Sequence, residues 1–355
     1  MFLTKRKLAV TFLVAIAVTA AGLVGIPGLF ARPQPPQGTP KPESVKAAPA
    51  VPAVPAAAQK PLPQGPNRLL VGRGAGGGER VSLIDPTGKN EKDLLRVAAH
   101  LDGIRLSPDG TRVAYIAQDP TATEPMLLLY VAGVDDKEGQ PLGMSPRAFS
   151  WSPDGTEIAY TEFPMSEKKL SATHGLINVK TGAKTELKLP DDHYITDWSR
   201  DGKHFVTTRI WPHAGVFLMN RDGTEHSSLT EKRLQAGSYG LLGRLSPDGK
   251  QLLFTILTPA KEKDKQAKSE LAVLDTSTGK VTPVADIPIN GGVSSYCWSP
   301  DGKRIAYAWL ESSQDNPAVE EIEAQVVVCD PDGKNATSIV SDKGRIITRP
   351  GVDWR

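Results

Sequence analysis

His193 directly follows Asp191 and Asp192, and a second imidazole, His213, stands further along the chain. Imidazole nitrogens and carboxylate oxygens are donors that divalent transition metals accept, so Asp191, Asp192, His193 and His213 form a candidate metal site. Such a site would serve a metal-dependent lyase or hydrolase. A larger set mixes charge with aromatic rings: His100, Asp102, Arg147, His193, Tyr194, Tyr239 and Arg349. Arginine and aromatic side chains anchor non-covalent interfaces, and this set suits the grip of a peptide or a glycan. Non-enzymatic binding is the preferred reading, because no coherent catalytic set accompanies the histidines, and no cofactor is expected.

Other motif matches fail on context. Gly72-Arg73-Gly74-Ala75-Gly76-Gly77 imitates a phosphate loop but lacks the Gly-Lys-Ser/Thr ending and a following helix. Ser166-Glu167-Lys168-Lys169 fits S-x-x-K without the partner motifs of acylating enzymes. Asp330-Pro331-Asp332-Gly333 lacks the calcium-loop pattern and its closing Glu. No G-x-S-x-G nucleophile elbow occurs. A net charge of +2, with both signs interleaved, offers no basic field for nucleic acid.

The elements that must position these residues come from an internal repeat. LSPDGTRVAYIA at 106–117 recurs as WSPDGTEIAYTE at 151–162, WSRDGKHFVTTR at 198–209, LSPDGKQLLFTI at 245–256 and WSPDGKRIAYAW at 298–309. Measured between the opening Trp or Leu markers, the spacings are 45, 47, 47 and 53, with 56 more to Trp354. That period suits a four-stranded propeller blade. In Ser-Pro-Asp-Gly, Pro presets φ for a type I turn, Asp bonds the turn backbone, and Gly takes the positive φ that follows. Behind each turn the residues alternate at period two, as in a strand packed by sheets on both faces.

A second repeat runs out of phase. VSLIDPTGKN, LLLYVAGVDDKEGQ, GLINVKTGAK, VFLMNRDGTE, LAVLDTSTGK and VVVCDPDGKN are six apolar strands entering turns at Gly88, Gly139, Gly182, Gly223, Gly279 and Gly333. With strands lettered A to D outward from the channel, the domain begins on a B strand, RLLVGR, and ends on an A strand, GVDWR. The ends therefore complete one blade, and the fold class is all-β: a monomeric six-bladed propeller over 68–355, closed by the C-terminal A strand on the N-terminal B-C-D strands. One residue before each marker come Arg105, Ser150, Asp197, Arg244, Cys297 and Asp353, which predicts structural ion pairs of Asp353 with Arg105 and Asp197 with Arg244 across blade junctions.

The W-S-P-D-G-x-x-I-A-Y pattern resembles the WD-like repeats of TolB-type propellers, and the resemblance covers nearly all of residues 68–355. It implies a propeller and an exported protein. Members of that family bind other envelope proteins through a propeller joined to a small α/β domain. Here an apolar segment and a proline-rich stretch stand in place of that domain, and an envelope protein joins peptide and glycan as an expected partner. Some secreted sugar lyases on similar propellers use a His-rich metal site at the channel, which gives the alternative reading its substrate class, a saccharide.

Lys5, Arg6 and Lys7 precede an uncharged apolar run from Leu8 to Ala31. The run reaches the roughly 20 residues that span a bilayer, so an uncleaved anchor over 1–31 is preferred to a cleaved signal ending near Ala15-Ile16-Ala17. Either exports the rest, and the basic flank leaves residue 32 onward on the far side of the membrane. Residues 32–67 are rich in Pro and Ala without periodic hydrophobicity, which reads as a disordered linker of up to about 100 Å.

In such a meander the A–B and C–D turns share one face, and the B–C loops and D–A connections share the other. The B–C loops vary in length and two carry opposite bias: Lys261, Lys263, Lys265 and Lys268 against Glu311, Asp315, Glu320, Glu321 and Glu323. Cys297 and Cys329 fall on the A and C strands of one blade, about 9 to 10 Å apart, beyond the roughly 7 Å a disulfide bridges. Both read as buried thiols.

Overall fold

Each Ser-Pro-Asp-Gly copy folds as the turn its residues dictate. Ser107 O accepts the Gly110 N–H at 2.8 Å, the Ser107 hydroxyl reaches Asp109 at 2.5 Å, and Gly110 sits at φ 71°. The same bonds recur at Ser152, Ser199, Ser246 and Ser299. The computed structural model describes residues 67–74, 78–97, 101–122, 126–162, 171–209, 214–224, 226–259, 267–287, 291–312, 322–344 and 351–355. The apolar segment and nearly all of the proline-rich stretch lie outside them. Among the described residues no helix is long and apolar enough to cross a membrane.

The strands assemble into six four-stranded antiparallel sheets, the blades of a propeller. Blade 1 takes its A strand from Gly351–Trp354 and its B, C and D strands from Leu69–Gly74, Glu79–Ile84 and Lys92–Val97. The A strands of blades 2 to 6 are Leu101–Leu106, Ala148–Trp151, His193–Trp198, Tyr239–Leu245 and Gly291–Trp298. Closure follows the expected register, with Leu69 opposite Trp354 and Gly72 opposite Gly351. Arg68 and Arg355 extend it by exchanging backbone hydrogen bonds of 2.8 and 3.2 Å.

Alternation along the strands gives every sheet two apolar faces, and the core divides accordingly into six clusters, one per blade junction. Leu70, Val81 and Leu83 of blade 1 meet Leu106, Val113 and Tyr115 of blade 2. Leu69, Val71 and Trp354 meet Ala306, Val326 and Val328 of blade 6 across the opposite face. A buried Leu, Ile or Val contributes roughly 1.5–3 kcal/mol and an exposed ion pair about 0–1, so apolar packing dominates each junction.

Five of the second-repeat glycines, Gly88, Gly182, Gly223, Gly279 and Gly333, take φ between 71° and 82°. Gly139 differs: it lies against the Tyr115 phenol, and the short D strand of blade 2, Gln140–Pro141, follows it. Cys297 faces blade 1 and Cys329 faces blade 5, so the two thiols occupy opposite sides of their sheet. Both are free, and burial pushes Cys297 well up and Cys329 to about 12.

Candidate functional site

Each A strand runs from the D–A face to the face of the Ser-Pro-Asp-Gly turns, so its two ends contribute to two rings of side chains around the channel. Bulges in the A strands of blades 2, 4, 5 and 6, between Leu101/Ile104, Ile195/Asp197, Leu241/Arg244 and Val293/Ser295, break the alternation just before the markers. A bulge re-aims the residues beside it.

At the D–A end, Asp102 is exposed and Tyr239 half-buried, each near the start of its A strand. Arg147 enters blade 3 with its N–H on Thr161 O at 2.8 Å. Burial raises the Tyr194 phenol to about 12, and the positive charge of Arg147 opposes the rise. Asp191 is exposed and accepts from the Ser171 hydroxyl at 2.9 Å.

His193 behaves differently from its expected place at the mouth. Its ring is 1% exposed and lies over the sheet of its own blade, with Nδ1 2.8 Å from Thr207 Oγ1 and centroids 5.0 Å from Phe217 and 6.0 Å from His226. Burial lowers its pKa to about 4, only partly opposed by Asp192, whose Oδ1 is 3.8 Å from Nε2. Among the described residues no group of three or more His, Cys, Asp and Glu is placed to hold a metal ion. His100, His213 and Arg349 lie outside the described residues. So do Lys261, Lys263, Lys265, Asp315, Glu320 and Glu321; Lys268 pairs within its own blade with Glu270 and Asp286, and Glu323 with Lys343.

At the turn end, the residues before the markers form inter-blade latches of two kinds. Where the next marker is Leu, a carboxylate takes its backbone N–H: Asp353 Oδ2 from Leu106 at 2.8 Å, and Asp197 Oδ2 from Leu245 at 3.1 Å. Where the next marker is Trp151 or Trp298, its indole N–H reaches back to Arg105 O at 3.3 Å or Arg244 O at 3.1 Å. Arg244 Nη1 stands 3.6 Å from Asp197 Oδ1. On the blade 1 side, Asp353 is occupied by the Leu106 N–H, and Arg105 Nη1 donates to Ile104 O at 2.8 Å.

Two further arginines stand at this end without belonging to any motif. Arg200 occupies the place that Pro holds in the other four copies, and Arg355 follows its marker where the others have Ser. The signal that could have found them is this departure from the repeat.

No family model and no curated protein matches the chain. Solved structures do. TolB from Acinetobacter baumannii superposes with TM-score 0.61 at 16% identity, over 83% of this chain and 68% of that one. A putative TolB from Agrobacterium tumefaciens gives 0.56 at 15%, over 82% and 99%. The fold is a TolB-like propeller. A prolyl endopeptidase shares it over 79% of this chain and 49% of its own, with TM-score 0.50 and 16% identity.

Proposed function

We propose that the protein is an exported, membrane-tethered binding module whose propeller holds a protein or peptide partner at the D–A mouth of the channel. The observation that carries this reading is the mixed polar and aromatic character of the D–A end, where Arg147 leads into blade 3 and Asp102, Tyr194 and Tyr239 stand at or next to the starts of the A strands of blades 2, 4 and 5. A rigid ring that presents a cation and aromatic rings on one face offers the residue types that anchor interfaces. The similarity to TolB structures supports a protein partner, and the apolar segment with its proline-rich stretch supports export and a tether. His193, packed as a neutral ring within its blade, belongs to the scaffold of the mouth.

The test uses the full chain as bait on envelope extract beside a variant carrying Arg147→Ala and Tyr239→Ala. A partner retained by the natural protein and lost from the variant is the expected result. Equal recovery by both removes the mouth from the reading.

A further inference from the structure

A continuous chain of hydrogen bonds crosses the junction of blades 3 and 4 through two buried side chains. His174, in the C strand Thr173–Asn178, is 4% exposed, and Thr161, in the B strand Glu157–Glu162, is fully buried. His174 Nε2 lies 3.1 Å from Pro190 O, and its Nδ1 lies 3.1 Å from Thr161 Oγ1. Thr161 Oγ1 in turn accepts the Ile195 N–H of the blade 4 A strand at 3.1 Å. The chain therefore starts on the D–A connection and ends on the residue that follows Tyr194. Asp191 adds to the same tie, its O accepting the Ala172 N–H at 2.8 Å and its Oδ2 the Ser171 hydroxyl at 2.9 Å.

The chemistry of the partners sets each proton. A carbonyl oxygen only accepts, so Nε2 carries the ring hydrogen and Nδ1 of the neutral ring is an acceptor. The Thr161 hydroxyl donates to it while taking the Ile195 N–H. A proton added at Nδ1 faces that hydroxyl hydrogen, which then has to swing away, where no other hydrogen bond of the described residues receives it. Burial also disfavours the added charge and lowers the His174 pKa, with the Pro190 carbonyl and Asp191 opposing only in part.

The other titratable groups around the junction are engaged or turned outward. Glu162 accepts the Ser145 N–H at 2.8 Å, and Tyr160 lies against Gly175 with its phenol raised by burial. On the D strand Lys184–Leu187, Lys184 reaches Gly143 O at 3.0 Å and Glu186 is exposed. On the blade 4 side, Asp192, Arg209 and His226 act on His193, which also feels His174.

The next junction shows what the histidine adds. Thr208, ten residues after Trp198 as Thr161 is after Trp151, takes the Leu242 N–H at 2.9 Å, and Val216 stands opposite it where blade 3 has His174. The bond between blades thus forms without a titrating ring.

We infer that His174 is a pH-sensitive latch: uptake of a proton by its ring frees the Pro190–His193 connection and the start of the blade 4 A strand from blade 3, loosening the D–A mouth on acidification. The latch is a property of the junction and is tested without any partner.

Hydrogen exchange followed residue by residue on the full chain, between about pH 7 and 4.5, reads it. Ile195 reports on this junction and Leu242 on the next, and their ratio cancels the intrinsic pH dependence of exchange. A ring with a free pKa of about 6.5 favours the open junction about tenfold for each pH unit that it stays neutral below that value. Protection of Ile195 relative to Leu242 is therefore expected to fall about tenfold. His174→Val, which copies blade 4, is expected to hold the ratio constant, and His193→Gln to keep the fall. A constant ratio in the natural protein, a fall that persists in His174→Val, or one that vanishes in His193→Gln overturns the inference. Should the valine variant not fold, the ring protons of His174, followed by NMR in the natural protein, have to titrate at the midpoint of the Ile195 change. A different midpoint overturns the latch equally.

Discussion

Asp353 Oδ2 accepts the backbone N–H of Leu106 at 2.8 Å, so the last strand of the chain is latched to the first strand of the second blade. Asp353 is 3% exposed, and a buried amide left without its acceptor costs about 1–3 kcal/mol. Asp353→Ala is expected to lower unfolding free energy by about 2–3 kcal/mol, whereas Asp353→Asn, which keeps an acceptor oxygen, loses about 1. Urea unfolding of the two variants checks the order; equal costs would discard the latch.

Removal of residues 351–355 takes away the A strand of blade 1 and with it Trp354, 2% exposed at the junction with blade 6. Loss of a buried Trp alone costs about 3–5 kcal/mol, and the B strand Leu69–Gly74 would gain an open edge. The truncated chain is expected to unfold at least about 10 °C below the full one. A thermal midpoint within about 2 °C of it would refute the strap.

Burial raises the Asp197 carboxyl from 3.8 to about 6, against the opposing Trp198 and Leu245 N–H groups and the charges of Arg355 and Arg105. The folded state therefore binds this proton more tightly than the unfolded chain. Its contribution is complete below about pH 4 and is lost as pH rises through about 6, amounting to about 3 kcal/mol. Asp197→Asn should gain on the natural protein by that amount between pH 4 and 7. A stability difference that is constant across this range contradicts the assignment.

His193 runs the other way. With its pKa lowered from 6.5 to about 4, chiefly by burial, the neutral ring stabilises the fold above about 6.5, and the contribution is lost as pH falls toward 4. The natural protein should lose roughly 2 kcal/mol more than His193→Gln on acidification over that window, allowing for solvent screening. Parallel pH profiles would show that the ring titrates freely.

The two thiols are raised by burial and face opposite sides of one sheet. Neither should react with a thiol reagent in the folded state, and both should react at once after unfolding. Rapid modification of either in the native protein would contradict their placement.

The architecture was legible in the sequence because each blade is specified by local chemistry: a turn whose Ser, Pro, Asp and Gly each have one role, and strands whose alternation suits packing on both faces. Even the closure could be read, since the domain starts on a B strand and ends on an A strand. Side-chain direction was less accessible. His193 precedes an A-strand bulge and folds over its own sheet, where Phe217 of the C strand and His226 of the D strand meet it. Sequence adjacency to Asp191 and Asp192 carries no information about that rotation. The Asp197–Arg244 contact was visible because both residues sit one step before their markers, whereas Asp353 found a backbone donor closer than Arg105.

Trp354 donates its indole N–H to Asn67 at 2.9 Å across 287 positions of sequence. The earliest strand of the propeller therefore waits for the latest, and blade 1 has no complete sheet until Gly351–Trp354 has been made. Until then the edge of Leu69–Gly74 is open to pairing with any strand that reaches it, including one from another copy. Closing a loop of this length is slow, because its entropy is lost before the contact rewards it. The vulnerable interval in the life of this molecule is thus the one between the making of Leu69–Gly74 and its capture by Gly351–Trp354, and whatever shields that edge, or hastens its capture, governs the yield of closed rings.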